Sequence, residues 1–162
     1  MSLEFSAETQ ARIRDLLGRY PTSDAALIPV LYLAQDEFGS LTSEVMELVG
    51  RHLEVPVTKI LGTATFYTML RKQPVGRFHI EVCANISCHL RGSNALIETI
   101  TRLLRIQPGE TTEDGLFTLD TVECLAACGN APALQVNGEF HEHMTPEKLE
   151  RLIVTLREDE EE

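Results

Sequence analysis

The chain has few basic residues and no long apolar run. Its 162 residues include 14 Lys and Arg against 25 Asp and Glu, a formal net charge of -11. Because so acidic a surface repels phosphate backbones, nucleic acid is excluded as a partner class. No window reaches the roughly 18 consecutive apolar residues that a membrane helix needs, and the first residues do not resemble a secretory signal. We therefore expect a cytoplasmic protein without direct membrane insertion.

The glycine motifs of nucleotide-binding proteins are missing as well. Neither G-x-G-x-x-G nor G-x-x-x-x-G-K-S/T occurs, so no site for a dinucleotide or for nucleotide phosphates is indicated. The Gly-Ser pairs at 39–40 and 92–93 lack the context of a nucleophile elbow, so serine hydrolysis has no support. Apolar residues make up 43% of the chain and charged residues 24%, which is typical of a folded globular protein.

What the sequence does contain is two close pairs of cysteines, Cys83 with Cys88 and Cys124 with Cys128. Their spacings are C-x4-C and C-x3-C, with 35 residues between the pairs. In a reducing cytosol, paired spacing favours metal or redox chemistry over stable disulfides. Neither pair has the C-x-x-C spacing of a thioredoxin-type dithiol, which disfavours a dithiol-disulfide oxidoreductase.

Two metal centres are compatible with four thiolates in this pattern. Structural zinc would need all four around one ion, so a zinc-stabilised interaction module without redox activity stays open. A 2Fe-2S cluster needs two thiolates on each iron, which two pairs from distant loops supply directly. A Rieske centre is excluded because His89 directly follows Cys88. The other histidines are interpreted as surface or packing residues: His52, His79, His141 and His143.

Residues 1–72 show helical periodicity and are predicted to form a bundle. Its apolar stripes indicate core packing rather than chemistry. The run 71–77 contains Pro and Gly and lacks helical period, so the domain boundary is placed there. One helix is expected from Asp24 to Phe38 with a kink at Pro29. The other three are expected to start at capping or opening residues, namely Ser6, Thr42 and Pro56.

Residues 73–157 are predicted to form a second domain with the element order βαβββα. Alternating apolar residues from Phe78 indicate a strand that leads into Cys83, and a second strand leads into Cys124. A helix is expected to begin at Gly92 or Ser93, just after Cys88. The predicted fold class is α+β, a helical bundle followed by an α/β domain with a mixed four-stranded sheet. Residues 158–162 are all acidic and are expected to form a solvated tail.

The cysteine motifs resemble those of a known family. The sequences CANISCHLRG at 83–92 and CLAACGNAP at 124–132 are similar to those of the thioredoxin-like 2Fe-2S subunit of respiratory complex I. That protein is the E subunit of NADH-quinone oxidoreductase in bacteria and belongs to the 24 kDa subunit family. Upstream, LYLAQDEFG at 31–39 and ATFY at 64–67 resemble the family's helical N-terminal region. The resemblance covers nearly the whole chain.

The resemblance implies a thioredoxin-like domain that holds one 2Fe-2S cluster per chain. Cys83 and Cys88 would bind one iron, and Cys124 and Cys128 the other. The chain would act as an oxidoreductase subunit without an active site of its own. It would exchange one electron with the FMN of a partner flavoprotein, of the F type, which also binds NADH. Equivalent subunits of NAD-linked hydrogenases or formate dehydrogenases remain alternatives.

The resemblance also places the protein in the peripheral arm of complex I, on the cytoplasmic side of the inner membrane. The helical bundle is then assigned to docking on the flavoprotein. His89 and Arg91 are candidate groups for tuning the reduction potential, together with N-H donors near 87–91. Ala126 stands where the family usually has glycine, which would cost about 1 kcal/mol or more if the loop needs a left-handed residue there.

Overall fold

The computed structural model describes residues 3–161, apart from the side chains of 159–161. The chain divides into two compact units between Pro74 and Val75. We call them the helical unit and the sheet unit. In the part of the chain that is described, no helix is both long and apolar enough to cross a membrane.

The helical unit consists of four α-helices and one 3-10 turn over its described residues. The helices begin where capping side chains predict. Ser6 accepts a hydrogen bond from the N-H of Thr9, and Thr42 accepts one from the N-H of Val45. In each case, the side chain satisfies an N-H that the first turn leaves without a partner. The elements are α1 (Ala7–Arg19), the 3-10 turn (Ser23–Ala26), α2 (Leu27–Phe38), α3 (Ser43–Leu53) and α4 (Val57–Phe66).

The prediction of a kinked helix from Asp24 to Phe38 is wrong in its first part. Residues Ser23–Ala26 form a 3-10 turn, and α2 begins only at Leu27. Pro29 thus lies in the first turn of α2, where its missing N-H would have had no partner within the helix. The proline helps to set where the helix starts instead of bending it. Gly39 ends α2 at a φ of 78°, as the sequence indicates.

An apolar core holds the helical unit together. Leu31, Leu48 and Ile60 are completely inaccessible to solvent, and they come from α2, α3 and α4. Each such side chain contributes about 1.5–3 kcal/mol of burial free energy relative to an exposed position. The predicted amphipathic stripes therefore meet in one core, which also includes Phe5, Ile13, Val30, Ala34, Leu41, Val45, Val49, Leu53, Ala64 and Leu70.

The sheet unit contains a mixed sheet with the strand order β2-β3-β1-β4-β5. Strands β1 and β3 run parallel, and the remaining neighbours pair antiparallel. One face packs against α6 and α7 through side chains such as Ile80, Leu119, Ile100 and Leu149. The elements are β1 (Phe78–Cys83), α5 (Ile86–Leu90), α6 (Ser93–Leu104), β2 (Glu110–Thr111), β3 (Phe117–Val122), a 3-10 turn (Cys128–Asn130), β4 (Leu134–Val136), β5 (Glu139–His141) and α7 (Pro146–Glu161).

All elements of the predicted order βαβββα occur, and the structure differs from the prediction in three places. A fifth strand, β2, has two residues and is too short to show a period-two pattern. The segment before α6 forms the short helix α5, which contains Cys88, whereas the sequence predicted that a helix begins only after Cys88. The expected acidic tail continues α7 as far as Glu161, and Glu162 lies outside the described residues.

Candidate functional site

The two cysteine pairs follow two neighbouring strands of the sheet. Cys83 is the last residue of β1 and is in register with Val122, the last residue of the parallel strand β3. Beyond the strands, the N-H of Ala84 donates to the carbonyl of Val122 at 2.9 Å. Because parallel strands end at the same edge of a sheet, this pairing brings Cys83 close to the segment that begins at Cys124.

The second thiol of the first pair is held inside α5. Asn85 caps this helix, with its side-chain oxygen accepting from the N-H of Ile86 at 2.8 Å. Cys88 is 2% exposed, so its side chain faces the interior of the unit. After the helix, the Nε of Arg91 donates to the carbonyl of Ala131 at 3.0 Å, which ties α5 to the loop of the second pair.

The second pair lies in an irregular loop after β3. Ala126 has a φ of 59°, and its N-H donates to the Sγ of Cys124 at 3.2 Å. Ala126 therefore has the left-handed conformation, so the conditional cost of about 1 kcal/mol applies to this loop. Cys128 opens a 3-10 turn, and the following Ala131-Pro132 bond is cis.

The four thiols differ sharply in exposure. Cys83 and Cys88 are each 2% exposed, whereas Cys124 and Cys128 are exposed, and all four are free thiols. The buried pair packs in a small cluster of its own, separate from the main apolar core of the unit. Its neighbours are small or aliphatic side chains, namely Ala131 and Ala133, with Leu125 and Ala127 at the edge.

Hydrogen bonds lower the pKa of the Cys83 thiol. Burial by itself would raise this pKa, but N-H groups of Asn85 and Leu125 and the thiols of Cys88 and Cys124 stabilise the thiolate, and the net shift is downward. Hydrogen bonds to the charged form act in this direction. Cys83 is thus prepared to be a thiolate, the form in which cysteine binds metals.

The pKa of the Cys88 thiol is raised. Burial is the largest cause, and the charges of Cys83 and Cys128 add to it, against a lowering by the N-H of Ala133. Two neighbouring thiolates without a cation repel each other, so only one of the buried pair ionises easily. The second pair contributes to both shifts, since Cys124 lowers the pKa of Cys83 and Cys128 raises the pKa of Cys88.

The donor set agrees with a 2Fe-2S cluster. The thiols of Cys83 and Cys88 are influenced by each other and by Cys124 and Cys128 of the loop after β3, and the N-H of Ala126 donates to the Sγ of Cys124. Over the described residues, no group of three or more His, Cys, Asp and Glu side chains is arranged to hold a metal ion. A 2Fe-2S cluster does not need such a group, because each iron takes two protein thiolates.

Backbone donors to the thiols come from outside the segment 87–91, which stays a predicted source of donors to the cluster. They are the N-H groups of Asn85, Leu125, Ala126 and Ala133. These are backbone groups, and no side-chain pattern in the sequence reports them. The N-H of Arg91 donates within α5 to the carbonyls of Ser87 and Cys88, and its side chain supports the loop. His89 is exposed.

His79 forms a polar contact that the sequence did not predict. It is 6% exposed, and its Nε2 lies 2.7 Å from Oδ2 of Asp120 on the neighbouring strand β3. Its Nδ1 lies 3.9 Å from Oε2 of Glu81. The interpretation of His79 as a packing residue agrees with its burial, and the contact lies four residues before Cys83 on β1.

The fold and the four thiols define a thioredoxin-like protein with a cysteine site at one edge of its sheet. A family described as thioredoxin-like 2Fe-2S ferredoxin matches residues 13–157. A solved NAD+-reducing NiFe hydrogenase in the air-oxidised state has the same fold, with a TM-score of 0.73 and 23% identity. That match covers 83% of this chain but 23% of the hydrogenase chain.

Two curated relatives indicate more closely which class of protein this chain belongs to. An E-type subunit of NADH-quinone oxidoreductase from Rhizobium meliloti is 44% identical over 86% of this chain and 83% of its own length. The E-type subunit of Rickettsia bellii is 39% identical over 98% of this chain and 96% of its own. The chain belongs to the thioredoxin-like 2Fe-2S ferredoxin family, with E-type subunits of NADH-quinone oxidoreductase among its relatives. The family and the fold class predicted from the sequence are both confirmed.

Proposed function

We propose that this chain is the iron-sulfur electron-transfer subunit of an NADH dehydrogenase module in NADH-quinone oxidoreductase. The observation that carries the proposal is that β1 and β3 end side by side, which brings the two cysteine pairs to one edge of the sheet, where the N-H of Ala126 donates to the Sγ of Cys124. Cys83 and Cys88 would hold one iron of a 2Fe-2S cluster, and Cys124 and Cys128 the other. Family membership supports the type of cluster.

The protein groups around the thiols have separate tasks. The bound cluster would supply a reversible one-electron change. Burial of Cys83 and Cys88 keeps water away from one ligand pair, which would protect it from exchange and oxidation. The N-H groups of Asn85, Leu125 and Ala126 would stabilise negative charge on sulfur. Such donors raise the reduction potential of an iron-sulfur centre in an acidic protein.

The partner in this proposal is a flavoprotein that binds NADH and FMN and exchanges one electron with this chain. This chain lacks the glycine motifs for binding a dinucleotide itself. Relatives named as E-type subunits of NADH-quinone oxidoreductase support complex I as the host. On this basis the protein would lie in the peripheral arm, on the cytoplasmic side of the inner membrane. The hydrogenase of similar fold keeps an NAD-linked hydrogenase as the alternative host.

The helical unit would dock on the flavoprotein. Its helix α4 and the turn that follows expose Leu61 at 45%, Phe66 at 78% and Met69 at 50%. The ring of Phe66 contacts that of Tyr67 at a centroid distance of 5.0 Å, and exposed apolar side chains that cluster in this way mark interaction sites. The turn is held in place by Gln35, which is buried and bonds to the carbonyl of Met69 at 3.3 Å and to the N-H of Arg71 at 2.6 Å. A fixed apolar surface loses little entropy on binding.

The cluster is tested by metal analysis of the chain purified without oxygen. We expect two irons and two acid-labile sulfides per chain, visible absorption, and a rhombic EPR signal after reduction with dithionite. Zinc without sulfide or visible absorption would instead make the chain a zinc-stabilised interaction module. That outcome would contradict the electron-transfer proposal while leaving the fold unchanged.

Docking of the helical unit is tested with the full chain and the flavoprotein of the same organism. Leu61→Ser combined with Phe66→Ser is expected to weaken binding about tenfold or more, since both side chains would lose buried apolar contacts. Tyr20→Ser, at a residue that is 37% exposed on the same unit, is the matched control and should bind as the native chain does. Equal binding of the double variant and the control would contradict docking through α4.

A further inference from the structure

The helix that carries Cys88 has two apolar side chains on its outer surface. Ile86 is 69% exposed and Leu90 is 77% exposed. They are four residues apart, so they lie on the same side of α5. Cys88, between them in sequence, is 2% exposed and faces the interior. The outer surface of α5 is therefore apolar immediately beside the thiol site.

Three contacts fix the position of α5. Asn85 caps its first turn, the buried side chain of Cys88 anchors its middle, and Arg91 bonds to the carbonyl of Ala131 after its last residue. Ile86 and Leu90 are thus presented by a helix that is already ordered. Binding through them avoids the entropy cost of ordering a loop.

The charge around α5 differs from that of the whole chain. Between 82 and 97 there is no Asp or Glu, and Arg91 is the one charged side chain, with His89 beside it. Carboxylates occur at the edge of the site, since Asn130 donates to Glu142 at 2.6 Å. A partner that contacts α5 meets apolar groups bordered by cationic or neutral ones.

We propose that α5 is a second docking element, which binds the flavoprotein beside the thiol site. The partner surface would be apolar opposite Ile86 and Leu90, and it would carry carboxylates opposite His89 and Arg91. This inference rests on the proposed function, because it takes the flavoprotein as the electron-transfer partner. It adds the contact surface on the sheet unit and the chemistry of the surface that fits it.

A second copy of this chain fits α5 less well than the flavoprotein does. A symmetric dimer through α5 would pair two segments that each carry Arg91 and no carboxylate between 82 and 97, so this segment would offer Arg91 no opposite charge. A second copy also holds no flavin or other source of electrons. The flavoprotein must bring its redox centre close to the four thiols, and binding to a surface beside them would do so.

The test measures binding of the full, cluster-loaded chain to the flavoprotein of the same organism. Ile86→Ser combined with Leu90→Ser should weaken binding about tenfold, with the iron content unchanged. Val154→Ser is the matched control, because Val154 is 54% exposed on α7 of the same unit; it should bind as the native chain does. Higher ionic strength should weaken binding of the native chain, since it screens Arg91 from carboxylates.

A photo-cross-linking amino acid at position 90 gives an answer that does not depend on how the serine variant folds. Position 90 should cross-link to the flavoprotein, and position 154 should not. Cross-linking from 154 alone, or cross-linking from 90 only to a second copy of this chain, would overturn the inference. So would unchanged binding of the iron-loaded double variant. A native chain without iron and sulfide would instead refute the proposed function, whichever residue cross-links.

Discussion

The two units of the chain use buried side chains in different ways. The helical unit has one apolar core built from residues spaced at helical intervals, and it contains no cysteine. The sheet unit has an apolar core on one face of its sheet and, separately, a small cluster around Cys83 and Cys88. Chemistry is thus concentrated at one edge of one unit, where strand ends and short loops supply thiols and N-H groups.

This difference assigns separate roles to the two units. A helix satisfies its own backbone groups along most of its length, so helices leave few free N-H groups for a cofactor. An irregular loop at a sheet edge leaves several, and the loop 124–128 directs the N-H of Ala126 at sulfur. On the proposed function, the helical unit would supply only docking surface, whereas the sheet unit would supply the cluster site and the docking surface of α5. Substitutions in either unit test this division.

The largest expected effect is the loss of the cluster in Cys88→Ala. Without this ligand one iron keeps a single protein thiolate, so we expect iron, sulfide and visible absorption to be lost from the purified chain. Ser87→Ala, at the neighbouring position of α5, is the control and should keep the cluster. A full complement of iron in Cys88→Ala would mean that the ligand set is wrong.

Core truncations are expected to distinguish the two units. Leu31→Ala and Ile100→Ala each remove a side chain that is 0% exposed, and each should destabilise its own unit by about 2–5 kcal/mol. Ile100 packs in the core beneath the sheet, so its truncation should shorten the lifetime of the cluster on heating. Leu31→Ala should lower the unfolding temperature of the helical unit before it affects the cluster. If each variant changed the cluster lifetime and the unfolding temperature of the helical unit equally, the two units would unfold as one.

A smaller effect is expected at the left-handed residues. Ala126→Gly and Glu54→Gly replace residues whose φ is 59° and 55°, so each removes a steric cost of about 1–2 kcal/mol. The greater freedom of glycine in the unfolded chain offsets about 0.5–1 kcal/mol of this gain. Denaturant unfolding should therefore show modest stabilisation in both. We expect only Ala126→Gly to prolong retention of the cluster, and an equal effect of Glu54→Gly would contradict a local role for the loop.

The smallest effect concerns acid stability of the helical unit. Burial tends to raise the pKa of Glu37, but hydrogen bonds from Thr9 and Ser6 lower it below its ordinary value; the N-H of Ser6 donates at 2.7 Å. A lowered carboxyl pKa stabilises the fold above the unfolded-state pKa, and this contribution is lost as the pH falls through the folded-state pKa. Glu37→Gln should therefore flatten the loss of stability on acidification. An unchanged pH profile in denaturant unfolding would show that the contact contributes nothing.

Much of the fold could be predicted because its signals are local. Ser6, Thr42 and Gly39 mark helix ends through their own hydrogen bonds or φ angles, and strand alternation leads directly into Cys83. The elements that the sequence did not predict are too short to show a periodic apolar pattern, since α5 has five residues and β2 has two. The start of α2 depends on Pro29 falling in a first turn, which the sequence alone does not distinguish from a kink.

The sequence predicted which residues would form the site, but it predicted less of the site's geometry. Cysteine spacing indicated two pairs after two strands, but the exposure of Cys124 against the burial of Cys83 depends on how the loops pack. The left-handed conformation of Ala126 is imposed by the loop, since alanine by itself disfavours it. The donors to sulfur are backbone groups, and these depend on the chain path and not on residue type.

On the proposed function, the four thiols hold a cluster that exchanges one electron with a flavin on a partner protein. The most direct measurement follows the EPR spectrum of the cluster-loaded chain after NADH is added anaerobically, with and without the flavoprotein. We predict no change with NADH alone, because this chain has no nucleotide motif, and a signal from the reduced cluster when the flavoprotein is present. Reduction by NADH without the partner, or none with the partner bound and its flavin reduced, would contradict the account.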